Sequence, residues 1–176
     1  MIFFELFYSM YKVTKDVTLL SFNYKLLHRS VMTNKNLNLW DTNKPEILRH
    51  TDKCTFCENS VETIEHSLHD CKISDKLWSD IFQWITLVTD LQINFEKHEI
   101  MLGMLPQELK IFNVIFMIVK KYLYSCRCLK IKPNKYIAMY KIKEQYNAEK
   151  YIVFNSHDNS HSDRMTKWDI ILDLFI

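Results

Sequence analysis

Apolar residues recur along much of this chain at helical intervals. Val17, Leu20, Tyr24, Leu27 and Val31 are 3 or 4 residues apart, and Asn23, Lys25, His28 and Arg29 fill the positions between. That spacing predicts an amphipathic helix with the first set turned inward, ended by Thr33-Asn34. Leu37, Leu39 and Trp40 predict a short second helix that stops before Pro45, because the residue ahead of a proline is pushed away from the helical region. Ser60 is a candidate cap for a short helix carrying Glu62, Ile64, Glu65 and His66. Ile73, Leu77, Ile81, Trp84 and Val88 predict a longer helix, with Lys72, Asp75, Lys76, Asp80 and Gln83 outside. From Pro106 to about Leu129 the pattern is apolar nearly all round, which predicts a central helix. Pro133 separates it from a basic helix that runs to about Phe154. Residues 155–163 read as a polar linker. Met165, Trp168, Ile171, Leu172 and Phe175 then predict a last amphipathic helix.

The expected fold is therefore mainly α. Its parts are an apolar segment over 1–16, a helical domain over 17–131, a basic helix over 132–154, and a linker with a closing helix over 155–176. Composition supports this. One glycine and three prolines in 176 residues leave few positions for the tight turns of an all-β chain. No GxGxxG or GxxxxGK[ST] pattern occurs, so the usual phosphate cradles are excluded. The run Ile111–Val119 ends at Lys120-Lys121, too short to span a bilayer, and the apolar start has neither a basic flank nor a small-residue cleavage site.

Charge changes the picture further. The net charge is only +2, but residues 54–116 hold 4 Lys/Arg against 10 Asp/Glu, while residues 117–150 hold 9 against 2. An acidic stretch is followed by a basic one, and local fields of this kind decide polyanion binding more than the total does.

Five cysteines, an odd number, do not form a secreted disulfide framework. Cys54, Cys57, His66 and Cys71 instead make C-x2-C-x8-H-x4-C. Two thiolates three residues apart can point from one tight turn at a single ion, and a second pair closes a tetrahedron. Four protein ligands leave no position for water or substrate, so the expected cofactor is one structural Zn²⁺ in a CCHC knuckle. Three thiolates with a neutral imidazole carry −1, which Lys53 and Lys72 are placed to offset. His69 is the alternative third ligand; His66 is preferred because His69 lies only two residues before Cys71. Cys126 and Cys128 point in different directions on a helix and read as ordinary thiols. His157 and His161, in linker composition, read as solvated.

The stretches LLSFNYKLLHRSVMTNKNLNLW and CTFCENSVETIEHSLHDC, with Leu77-Trp78 after them, resemble the zinc-binding segment that follows the reverse transcriptase domain in non-LTR (LINE-type) retrotransposon polyproteins. Leu27-His28-Arg29 before Thr33-Asn34, and Glu62-Thr63-Ile64-Glu65-His66 before the last cysteine, are similar to that family in order and spacing. The family tends to carry large apolar residues where this chain has Ser67-Leu68-His69-Asp70. No Tyr-x-Asp-Asp polymerase motif occurs. The resemblance implies a non-catalytic piece of a longer polyprotein, intracellular (nuclear or cytoplasmic), with RNA or DNA and the polymerase domain as partners.

The expected nucleic-acid contacts are Lys120, Lys121, Arg127, Lys130, Lys132 and Lys135 on phosphates, with Tyr122, Tyr124, Tyr136 and Tyr140 available to stack on bases. The rival expectation is a protein-interaction module whose apolar ends (Ile2, Phe3, Phe4, Phe7; Trp168, Leu172, Phe175) dock on a polymerase domain. A zinc enzyme fits least, since catalytic zinc keeps an open position.

Overall fold

The computed structural model describes residues 13–103, 110–155, 165–169 and 171. These residues form six α-helices: α1 (Val17–Leu27), α2 (Asn34–Trp40), α3 (Lys72–Thr89), α4 (Lys97–Leu102), α5 (Lys110–Leu129) and α6 (Lys135–Asn155). A single antiparallel bridge, Lys53 with Val61, is the β pairing among them. No helix among the described residues is long and apolar enough to cross a membrane.

Helix α5 is the centre, as its sequence requires. Every residue from Ile111 to Lys120 is buried, because α1, α4 and α6 all pack against it. Phe112 and Phe116 of α5, Trp78 and Phe82 of α3 and Phe95 before α4 form a cluster with ring centroids 4.8–6.4 Å apart, mostly edge to face. That arrangement suits aromatic quadrupoles. The start expected at Pro106 lies outside the described residues. Lys130 (φ 55°) closes the helix ahead of Pro133, with the Ile131 amide donating to the Cys126 carbonyl at 3.0 Å.

Helix α1 starts where Asp16 accepts from the amides of Thr18 (2.7 Å) and Leu19 (3.1 Å), a side-chain cap that also suits the helix dipole. Its inward face differs from the expected one. Leu19, Phe22, Asn23 and Leu26 are buried, whereas Val17 and Tyr24 are exposed. Both sets have helical spacing, so periodicity alone does not choose between them. The neighbour chooses: Phe22 meets Tyr124 of α5 at 5.5 Å between centroids. Asn23, expected outside, is buried with its amide lacking a hydrogen-bond partner, which costs about 1–3 kcal/mol. The helix also ends at Leu27, four residues before the expected limit.

A similar rotation occurs in α3. Leu77, Trp78, Ile81 and Ile85 face inward; Ile73 and Trp84 are half-buried and Val88 is exposed. Helix α2 ends before Pro45 as expected, and the following loop is drawn together by buried Asp41. Its carboxylate accepts from Lys44 Nζ at 2.7 Å and from the His50 amide at 3.0 Å. Helix α4 was not legible from the pattern. It is built on a reciprocal Glu96/Glu99 capping box, and the chain's one glycine, Gly103, ends it at φ 95°, where a side chain would clash.

Helix α6 buries Ala138, Ile142, Tyr146 and Glu149. Of the expected polar linker, Asn155 ends α6 and residues 156–163 lie outside the described residues, as do Leu172 and Phe175 of the expected last helix and residues 1–12. Residues 165–171, as far as described, make tight turns, with Trp168 and Ile171 fully buried. Trp168 donates to Glu149 Oε2 at 2.8 Å and meets Tyr146 edge to face. The rival reading has Trp168 dock on a polymerase domain, but it is part of this chain's own core.

Candidate metal centre

The four predicted ligands come together. Cys54 Sγ, Cys57 Sγ, the His66 ring and Cys71 Sγ have ligand atoms all within 4.8 Å of one another. Cys54 and Cys71 sulfurs are 3.8 Å apart, and His66 Nε2 is 3.3 Å from Cys57 Sγ. Zinc–sulfur bonds of about 2.3 Å in a tetrahedron separate two sulfurs by about 3.8 Å. The cluster therefore has the size that one zinc ion requires.

Local structure explains the spacing. Between Cys54 and Ser60 the chain reverses: the Glu58 amide donates to the Cys54 carbonyl at 2.9 Å and the Cys54 amide to the Ser60 carbonyl at 2.8 Å, with Glu58 at φ 59°. The expected Ser60 cap is replaced by Thr63, whose hydroxyl accepts from the His66 amide at 3.0 Å. His66–Asp70 is then a π turn, closed by the Cys71 amide on the His66 carbonyl at 2.8 Å. Five residues advance about 500° in an α-helix, which would leave His66 and Cys71 about 140° apart. Widening the turn to i→i+5 returns them to one side. His69 points elsewhere, with Nδ1 3.1 Å from Asp70 Oδ1, so the alternative ligand is set aside.

The electrostatics fit a cation. Burial pushes the Cys54 thiol up to about 12, against the amides of Cys57 and Phe56; the Phe56 amide donates to its sulfur at 3.4 Å. Burial also raises Cys71, against the amides of Ile73 and Ser74 at the start of α3. Burial opposes ionisation of Cys57 too, but the amides of Ser60 and Asn59, the His66 ring and Cys54 outweigh it and bring that thiol down to about 6. Amides thus point at all three sulfurs, while the site's interior disfavours three bare thiolates. A divalent ion at the centre reconciles the two, since coordination deprotonates thiols outright. These residues fit one structural zinc.

A buried polar joint beside the cluster was missed by the sequence reading. Glu62, with no exposed surface, accepts from the Thr55 amide (2.7 Å), the Asn34 amide (2.8 Å) and Arg127 Nε (2.8 Å). Arg127 Nη2 donates to Asn34 Oδ1 at 2.8 Å, and Asn34 Nδ2 reaches the Lys53 carbonyl at 2.7 Å. One carboxylate therefore ties the knuckle, α2 and α5 together.

The six cations expected on phosphates divide. Arg127 is held in this joint, and Lys120 is fully buried with Nζ donating to the Met101 carbonyl at 2.9 Å. Both are corrected to internal roles, because they sit on faces of α5 that α1, α4 and the knuckle cover. Lys121 is half-buried and donates to Thr18 Oγ1 at 2.6 Å. Lys130 and Lys132 are exposed and Lys135 half-exposed, grouped at the turn between α5 and α6. Of the tyrosines, Tyr122 is buried and Tyr124 half-buried with its hydroxyl accepting from the Met32 amide at 3.2 Å, while Tyr136 and Tyr140 are exposed.

A family model described as zinc-binding in reverse transcriptase matches residues 6–78. The match takes in all four ligands, with α1, α2 and the first turns of α3. It is to a zinc-binding domain and not to a catalytic one. Neither the curated proteins nor the solved structures give a match.

Proposed function

We propose that this chain is a non-catalytic, zinc-stapled module that holds nucleic acid beside a reverse transcriptase of the non-LTR (LINE) type, inside the cell, on template RNA or target DNA. The observation that carries this reading is the Cys3His cluster lying within the segment that matches the reverse transcriptase zinc-binding family. The knuckle itself lies in the acidic stretch, so its role is to position helices. Lys130, Lys132 and Lys135 at the α5–α6 turn meet phosphates.

A salt titration of the zinc-loaded chain against short single-stranded RNA tests this. Binding should weaken steeply as salt rises, and the triple change Lys130→Gln, Lys132→Gln and Lys135→Gln should flatten the log–log slope by about 2, at about 0.7 per released phosphate contact. Absence of binding at low salt overturns the reading. A second reading, docking on a polymerase domain, is favoured by Leu39, Trp40, Ile47 and Leu48, which are exposed together around the α2 loop. Under that reading the same titration shows no salt-dependent binding.

A further inference from the structure

Helix α6 has two unlike sides. Ala138, Ile142, Tyr146 and Glu149 face the core. On the far side Tyr136, Tyr140, Tyr151 and Phe154 are 69%, 65%, 71% and 88% exposed. At 100° per residue these four fall within about 60° of one another, along about 27 Å of helix. Lys143, Asn147 and Lys150, all exposed, lie on the same side. Leaving four large rings in water forfeits burial worth about 1.5–3 kcal/mol for each large apolar side chain. Lys135 Nζ lies 5.4 Å from the Tyr136 ring centroid, so one cation is already seated on this face.

We propose that this face of α6 binds single-stranded nucleic acid, with unpaired bases stacked on Tyr136, Tyr140, Tyr151 and Phe154 and phosphates on Lys143 and Lys150. The proposal rests on the nucleic-acid reading above and names its surface. Charge complementarity selects the occupant: the stripe interleaves rings with lysines and continues at its start into Lys130, Lys132 and Lys135, a basic track along the helix. One exposed acid, Glu144, shares this side with Lys143 and Lys150 and leaves it with a net positive charge, while Glu149 is buried and paired with Lys167 and Trp168. Aromatic rings with cations along one groove or ridge are what strand binding without sequence preference uses. A second copy of α6 fits poorly, because helix pairing wants aliphatic residues at the seam and would set lysine against lysine. A duplex fits poorly as well, since its bases are already stacked on one another. Along the axis, Tyr136 and Tyr140 are about 6 Å apart and Tyr151 and Phe154 about 4.5 Å, with about 16 Å between the pairs. The face thus offers two stacking stations on one strand.

The test is fluorescence anisotropy with labelled short oligo(U), oligo(dT) and a mixed-sequence duplex, using the zinc-loaded full chain. Tyr140→Ala and Tyr151→Ala should each weaken both single strands by about fivefold to a hundredfold, with helicity unchanged, and Tyr140→Phe should restore binding because the ring is kept. Duplex affinity should not respond to these changes. If the alanine variants bind like the parent while the Lys130/Lys132/Lys135 glutamine variant loses affinity, the stacking surface is refuted and the nucleic-acid reading stands. If the parent binds neither strand, both fall. If the parent is a dimer by mass and Tyr140→Ala is a monomer, the face is a self-interface and the proposal is overturned.

Discussion

Lys120 sits in the middle of α5 with no exposed surface and one partner, the Met101 carbonyl. Burial alone pulls its pKa down to about 7, whereas the unfolded chain titrates near 10.4. Below about pH 7 both states hold the proton. Between about 7 and 10 the unfolded chain binds more protons, so folding stability rises with pH, by up to about 1.4 kcal/mol per pH unit. Lys120→Met removes this cost. The variant should exceed the parent in urea-denaturation stability below neutral pH, and the gap should narrow as pH rises towards 10. A gap independent of pH would show that the ammonium is not desolvated in the native state. Lys120 and Arg127 also show what residue type conceals. Both are cations in a basic segment and read as phosphate contacts, yet both are buried. Spacing from a core position does not single them out, since Lys130 follows buried Cys126 by the same four residues and is exposed; the neighbours packed on α5 decide.

Among the elements, the π turn at His66–Asp70 decides which histidine meets the metal. Changing His69 to alanine should leave one bound zinc per chain, because its ring is turned to Asp70. Inserting one alanine after His69 should weaken zinc binding by more than the about 10–100-fold typical of losing an outer partner. It would place the histidine and the last cysteine six residues apart, or about 240° around an α-helix. Metal titration against a chelating dye reads both, and an insertion variant that binds like the parent would mean that the turn is not what aligns the ligands. Element positions were largely legible: α2, α3, α5 and α6 follow from periodicity and proline breaks, and the ligand set follows from cysteine spacing. Which face of α1 and α3 turned inward was not, since two apolar stripes with the same period lie side by side and only the partner helix selects one. Helix α4 has six residues, too few to show a period.

Across the whole molecule, the zinc staple and the helical core are joined at Glu62 and Arg127. The segment from Cys54 to Cys71 adds Phe56, Ile64 and Leu68 to the core, and its four ligands would close it around one zinc. Glu62 leaves that segment to meet α5 and the start of α2, so the knuckle and the basic end of α5 are held in one relation. Burial raises the Glu62 carboxyl, but the Thr55 amide and hydroxyl, Arg127 and the Asn34 amide outweigh it and hold it below its usual range. The stability this gives is present above the ordinary carboxylate pKa and is lost as pH falls through the lowered value. Removing one partner of such a buried pair strands the other charge, at a cost of about 3–5 kcal/mol. Arg127→Ala should therefore lower the urea midpoint sharply at neutral pH while the chain still carries one zinc, because the four ligands do not depend on the guanidinium. The joint double variant Glu62→Gln with Arg127→Ala should lose less than the two single changes added together, since each single change already breaks the same contact. Equal unfolding midpoints for Arg127→Ala and the parent would mean that the knuckle and the core are stable independently, and that the joint does not carry the metal's ordering into the helix that leads to the basic turn.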